Sequence, residues 1–216
     1  MINVENIEVW GFVHAIRGMR NPMNSWDKSD SEYIEYEDWK KADTGETWEY
    51  VIGPNDLDLM RRLCKAGPEH RKYLRQIFVS MDITAPLYWW KEMDQYRIGV
   101  TTNSCSTMHK IHAKEFALDD FSHEHLLDDW RSQLMNTIAM LNQARDWYLI
   151  TKDKEYWWQM IQFLPSSYNQ RRTITMSYEN VMNIINQRSG HKLDEWNAFV
   201  EELKRLPYIK EIIDEH

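Results

Sequence analysis

Residues 77–98 constrain this chain most. Ile77, Val79, Met81 and Ile83 alternate with Ser80, Asp82 and Thr84, with Phe78 the one exception, which is the period of two of a strand with one buried face. Pro86 ends that ladder and suits the first position of a helix, over which Trp89, Met93 and Tyr96 recur at helical spacing. The stretch predicts a strand feeding a short helix. At the helix's end stand Gln95, Tyr96 and Arg97. A loop of small hydroxyl and thiol side chains follows over residues 101–107, including Ser104, Cys105 and Ser106, where a phosphate or a flavin could be held.

The rest of the chain bounds what that stretch can serve. With 216 residues and no Gly-, Ser- or Pro-rich linker, one domain over residues 1–216 is expected. Thirty-four acidic against 26 basic residues give a net charge of −8, which argues against a nucleic-acid polymer as partner and leaves a nucleotide as the better fit. Eleven Trp and 11 Tyr suit core and subunit-interface packing ahead of ring stacking on a ligand. No apolar run approaches a membrane span, and the first residues lack the basic and apolar regions of a signal peptide, so a cytoplasmic protein with no membrane partner is expected. Cys64 and Cys105 lie far apart and read as reduced thiols.

In chain order, residues 4–13 read as a strand. Arg17 and Arg20, three apart, taken alone read as a solvated helix face. Residues 24–50 sustain neither period and read as a long excursion, a lid or an oligomer contact. Asn55 or Asp56 can cap a helix over residues 57–64 that Gly67-Pro68 closes, and Gln76 reads as a polar residue at a strand start. Cys105, His109 and His112 invite a zinc reading, but their spacing matches no common signature, so packing or solvated histidines and no metal are expected. Apolar residues from Leu126 to Tyr148 predict a long amphipathic core helix, and a second helix covers residues 154–163. A strand is expected over 171–176, then a helix ending at Gly190, then a helix over 193–206 that Pro207 breaks. On the helix before Gly190, Val181, Ile184 and Arg188 share a face. Arg188 there either pairs with a core carboxylate or turns towards a bound anion.

Ala85-Pro86, Lys91-Glu92, Gln95-Tyr96-Arg97, Cys105 and Thr107 stand at the spacings of the signature A-P, R-Q-x-x-R-H-R, S-x-R, and in this the chain resembles the flavin-dependent thymidylate synthases. Arg17 and Arg20 fit that family's early A-x-R-x-x-R element, and Gln76 stands where its flavin-contacting histidine falls. Leu164-Pro165, Arg171 and the helix bearing Asn183, Asn186 and Arg188 register without a gap with its L-P, arginine and L-M-N-F-L-N-L-R. Ile161 occupies the place of its nucleotide-holding arginine. The resemblance runs in pieces from about residue 15 to about residue 203.

It implies an α/β fold of the α+β type, a mainly antiparallel sheet with packed helices, assembled as a homotetramer with FAD at the subunit interfaces. It also implies reductive methylation of dUMP to dTMP, with methylenetetrahydrofolate as carbon donor and NADPH as reductant. Gln76, Gln95, Tyr96, Arg97 and Asn183 would contact the flavin. Glu92, Ser104, Cys105, Ser106 and Arg188 would contact the substrate, and Arg188 would orient the uracil and stabilise its enolate-like charge. Two rivals stand beside this reading: a related flavin or nucleotide enzyme with another pyrimidine substrate, suggested by the missing arginines at 95, 107 and 161, and a non-catalytic binding protein of the same fold.

Overall fold

In the computed structural model, which describes residues 1–35 and 48–213, strand β1 (Asn3–Trp10) ends at Gly11 and helix α1 (Phe12–Arg20) begins at once. This corrects the strand expected over residues 4–13. Gly11 takes φ +100°, and a Cβ there would lie 2.1 Å from the Gln76 carbonyl oxygen. Only glycine combines that conformation with that approach, so the chain turns there and Phe12 and Val13 become helical.

The excursion over 24–50 is not without structure. Single 3-10 turns at Asn21–Met23 and Trp26–Lys28 lead into β2 (Glu32–Glu35), which pairs antiparallel with β3 (Trp48–Val51). Each strand is four residues long and β2 is exposed throughout, which leaves no periodicity to read. Residues 36–47 of the expected lid or oligomer contact lie outside the described residues. Helix α2 (Pro54–Lys65) starts earlier than expected, and its cap comes from elsewhere: the Asp30 carboxylate accepts the amides of Asn55 at 2.8 Å and Asp56 at 3.0 Å. Gly67 closes it at φ +110°, as the sequence predicts.

Strand β4 (Phe78–Pro86) buries Val79, Met81, Ile83 and Ala85 in strict alternation. Pro86 is its last residue and the N-cap of α3 (Leu87–Met93), not the first helical residue. With no capping side chain, the first amides of α3 are satisfied by backbone carbonyls: Leu87 N–H donates to Tyr168 and Tyr88 N–H to Ser166, each at 3.0 Å. β5 (Val100–Ser104), α4 (Asp128–Thr151), α5 (Lys154–Gln162), β6 (Asn169–Ser177), α6 (Tyr178–Arg188), α7 (Asp194–Lys204) and α8 (Ile209–Ile213) complete the chain. Four strands form one sheet in the order β1-β4-β6-β5, so the architecture is mixed helix and antiparallel sheet.

The chain divides into two compact units. The first comprises Met1–Ile7, Met81–Ile174 and Gly190–Phe199. In it α4 and α5 pack together, and Leu134, Ile138, Leu141 and Ala144 of α4 join Phe116, Phe121 and Met160 in an apolar cluster. The long helix is thus a core helix along one stripe only. Trp130, Met140, Trp147 and Ile150 lie exposed on its other faces. Also in this unit, Trp89 packs on Trp196 at 4.7 Å and on Phe199 at 5.3 Å between ring centroids. The second unit comprises Glu8–Ser80, Thr175–Ser189 and Val200–His216, with Ile16, Met60, Leu74, Tyr178, Ile184 and Ile209 buried. Within it the last helices pack inward through Val200, Leu203, Leu206 and Ile212. No helix among the described residues is long and apolar enough to cross a membrane.

Candidate functional site

In the first unit the candidate residues stand on two neighbouring segments, the end of α3 and the end of β5. Trp89, Trp90 and Met93 bury one face of α3, which leaves Lys91 exposed and Glu92 half-buried at its edge. Glu92 is engaged inside the protein: Trp196 Nε1 donates to its carboxylate at 3.1 Å, and His191 Nε2 lies 3.6 Å from it. Beyond the helix the backbone turns through Gln95 N–H to Glu92 O and Tyr96 N–H to Met93 O. That turn leaves Gln95 and Arg97 exposed and Tyr96 half-buried against Trp196. Arg97 Nε donates to the Asp94 carbonyl at 3.1 Å, so the rest of its guanidinium points outward from a fixed stem.

The second segment is pinned on both sides of one peptide group. Cys105 N–H donates to Arg171 O at 2.9 Å, and Cys105 O accepts from Gln170 Nε2 at 2.6 Å. The flanking Ser104 and Ser106 are exposed, as is the Cys105 thiol, while Ser106 Oγ accepts the amides of Met108 and His109. His112 packs edge-on against Tyr148. Among the described residues no group of three or more His, Cys, Asp or Glu is placed to hold a metal ion.

The remaining candidates belong to the second unit. Gln76 follows the 3-10 turn Lys72–Arg75 and is exposed, with its side-chain carbonyl so close to Gly18 of α1 that a Cβ there would sit 2.6 Å away. Asn183 and Arg188 project from α6, which Ser177 caps by accepting the Asn180 amide. Val181 and Ile184 are fully buried on the stripe that leads to Arg188. Arg188 itself, in the last turn, is half-buried. At the start of the same helix, Glu179 is held below the usual glutamate range, first by the hydrogen bond from Arg75 and then by Arg71.

Two arrangements depend on partners that are distant in sequence. Arg20 and Arg17 are not a solvated pair. Arg17 is exposed, whereas Arg20 is buried with its Nε 2.6 Å from Asp56 Oδ1, because α1 turns that residue inward onto α2. Asp56 also accepts from Ser29 Oγ and Ser31 Oγ, both at 2.7 Å. Burial, the largest single influence, raises its pKa, but the hydrogen bonds from Ser31, Ser29 and Arg20 outweigh it and hold the carboxyl below its ordinary value. The second arrangement is Gln170 with Arg172 on β6, beneath the Cys105 peptide. Arg172 lies 4.3 Å over the Trp90 ring and donates to Asp94 and to Gln170.

No family model matches the chain, and no curated protein matches it by sequence. Solved structures do. Thymidylate synthase X (ThyX) from Helicobacter pylori, crystallised with FAD and dUMP, superposes with a TM-score of 0.71 over 100% of this chain and 98% of its own, at 16% identity. The fold is ThyX-like. A second Helicobacter pylori ThyX complexed with FAD and dUMP gives 0.69 over 98% of each chain at 15% identity. A UMP/dUMP methylase, PolB, from Streptomyces cacaoi, bound with 5-Br dUMP, gives 0.57 over 94% of this chain and 88% of its own at 13% identity. Within this ThyX-like fold Ile161, at the place of the arginine that the sequence resemblance calls for, packs against the Phe116–Leu141 cluster. An arginine there would carry its charge beside that cluster.

Proposed function

We propose that the chain is a flavin-dependent enzyme that methylates a pyrimidine nucleotide, taking dUMP to dTMP with methylenetetrahydrofolate as carbon donor, NADPH as reductant and FAD as cofactor, in a homotetramer. The observation that carries the reading is the fold likeness along 98–100% of the chain to structures solved with FAD and dUMP. The donor set of the chain fits both ligands. Arg97 offers an exposed guanidinium to a phosphate, Gln95 and Gln76 offer exposed amides, and Ser104 and Ser106 offer exposed hydroxyls.

In this reading Gln76, Gln95, Tyr96, Arg97 and Asn183 hold FAD, which when bound and reduced supplies the hydride that completes the methyl group. Ser104, Cys105 and Ser106 hold the nucleotide, and Glu92 fixes the α3 end of that site. Arg188 orients the uracil and stabilises the charge that develops on its ring, a role for which a planar guanidinium with several N–H donors is suited. The test is a titration of purified protein with FAD followed by assay of dTMP formation. Uptake of flavin with a shifted absorption band and turnover of dUMP are expected; a protein that takes up neither FAD nor dUMP sinks the reading.

A related pyrimidine as substrate is favoured by a specific observation: Gln95, Thr107 and Ile161 leave three places without the cations that the resemblance calls for, and Ile161 is built into apolar packing. Comparing UMP with dUMP in the same titration decides it. Binding of either nucleotide without turnover points to the non-catalytic protein of the same fold.

A further inference from the structure

We propose that Gln170 and Arg172 form a clamp that sets the spacing between the two ligand-bearing segments of the first unit, the turn at 94–97 and the loop at 104–106. The inference rests on the functional reading for its consequence, but the clamp itself stands on contacts. Alternation on β6 puts residues 170, 172, 174 and 176 on one face. Ile174 and Met176 there are fully buried, as the packing of that face demands. Gln170 is 7% exposed and the Arg172 side chain 14%, so two polar groups occupy apolar ground and every hydrogen bond they lack would cost stability.

Their bonds do not go to the core. Gln170 Nε2 donates to Cys105 O at 2.6 Å, and Gln170 Oε1 accepts from Arg172 Nε at 2.9 Å. Arg172 Nη1 then donates to Asp94 Oδ1 at 2.7 Å, and the Asp94 carbonyl accepts from Arg97 Nε at 3.1 Å. Trp90 closes the array from below, its Nε1 donating 2.9 Å to Gln170 O while its ring carries the Arg172 guanidinium. An unbroken chain of polar contacts thus runs from Arg97 to Cys105 through two side chains whose polar groups are engaged with the protein itself. A guanidinium is needed in the middle because it must reach Gln170 and Asp94 at once while its carbon stands 4.3 Å over an indole; a lysine ammonium can do one of these. Gln170 and Arg172 are therefore positioning residues.

The test compares wild type with Arg172→Lys and Gln170→Leu by amide hydrogen exchange, urea unfolding and titration with FAD and dUMP. Arg172→Lys keeps a cation for Asp94 and is the variant expected to stay folded if Gln170→Leu does not. Exchange should quicken together at residues 94–97 and at Cys105, by about tenfold for the loss of one charge-assisted bond, with α4 and α6 unchanged. The dissociation constant for dUMP should rise by a similar factor, while the urea midpoint of Arg172→Lys falls only modestly, as the loss of its bond to Gln170 requires, with unfolding still a single cooperative transition. Faster exchange at one segment without the other overturns the clamp, and so does joint quickening with unchanged FAD and dUMP binding. Should wild type itself bind neither, the functional reading falls, and the exchange result alone decides whether the two segments are coupled.

Discussion

Asp56 and Asp82 are gripped by nearly the same set of groups in two different solvents. Asp56 accepts from Arg20, two serine hydroxyls and the amides of Asp30 and Ser31. Asp82 accepts from Arg171 at 2.7 Å, Asn6 at 2.8 Å and the Thr173 hydroxyl. Both carboxyls sit below their ordinary pKa; for Asp82 the hydrogen bonds from Thr173, Arg171 and Asn6 are the main cause, in that order. The difference is water. The side chains of Arg20 and Asp56 are 5% and 0% exposed, whereas Arg171 is 45% exposed and has Glu5 as a second anion 3.3 Å away. Contact lists alone would rank the two networks together. Solvent decides that one is a structural knot, whose breakage strands a charge, and the other a surface array that water can replace.

The largest effect should come from Asp56→Ala, which leaves the Arg20 guanidinium buried without its carboxylate. A loss of about 3–5 kcal/mol in urea unfolding is expected. A loss under about 1 kcal/mol would mean that Arg20 finds water, and the contrast with Asp82 would collapse. The double change Arg20→Met with Asp56→Leu sharpens the point. Removing both charges should recover part of the loss, yet the amides of Asp30 and Ser31 and the hydroxyls of Ser29 and Ser31 lose their acceptor, so a deficit of about 1–3 kcal/mol should remain. Ser31→Ala, which deletes one donor to Asp56 and the acceptor for Gly53 N–H, should cost about 1 kcal/mol.

Acid supplies a further discriminator. A carboxyl whose folded pKa is lowered contributes its full stabilisation above the unfolded value, 3.8 for aspartate, and loses it as pH falls through the folded one. The gap in stability between wild type and Asp56→Ala should therefore hold steady down to about pH 5 and narrow as pH falls through 3.8 and on through the lower folded value. The smallest effect should belong to Asp82→Asn. Its change in urea midpoint should be well below that of Asp56→Ala and should fade further as salt is raised, because its partners are half in water. An equal loss from both aspartates would refute the comparison.

The sequence made the local elements legible and left the distant partners dark. The alternation through Ile83 gave β4, the three-and-four spacing gave α4, and the run from Leu164 to Arg188 gave β6 and α6 with bounds close to those found. Gly11 reads from sequence as part of a strand because its φ answers to the Gln76 carbonyl, far along the chain. Asp56 looked like a helix cap because aspartate is a capping residue. Asp30 takes that part, and nothing in the local pattern could tell one aspartate from the other. From sequence Arg20 reads as solvated because a spacing of three says which residues share a face, not what that face meets. The segments at 94–97 and 104–106 could be picked out by spacing. Gln170 and Arg172 were hidden in a stretch that reads as an ordinary strand, and the alternation that sets them beside Ile174 was the one available hint.

The strand order carries a consequence for how the chain comes off the ribosome. β5, at an edge of the sheet, has β6 as its neighbour, and β6 is the last of the four strands to be made. About 70 residues separate the end of β5 from the end of β6, so at roughly 5–20 residues per second β5 waits about 4–15 s for its partner, and β4 waits with one side unpaired. During that interval the nascent chain presents open strand edges to its neighbours. Translation speed over α4 and α5, which fill the gap and do not pair with the sheet, then sets how long newborn molecules stay vulnerable to sticking together.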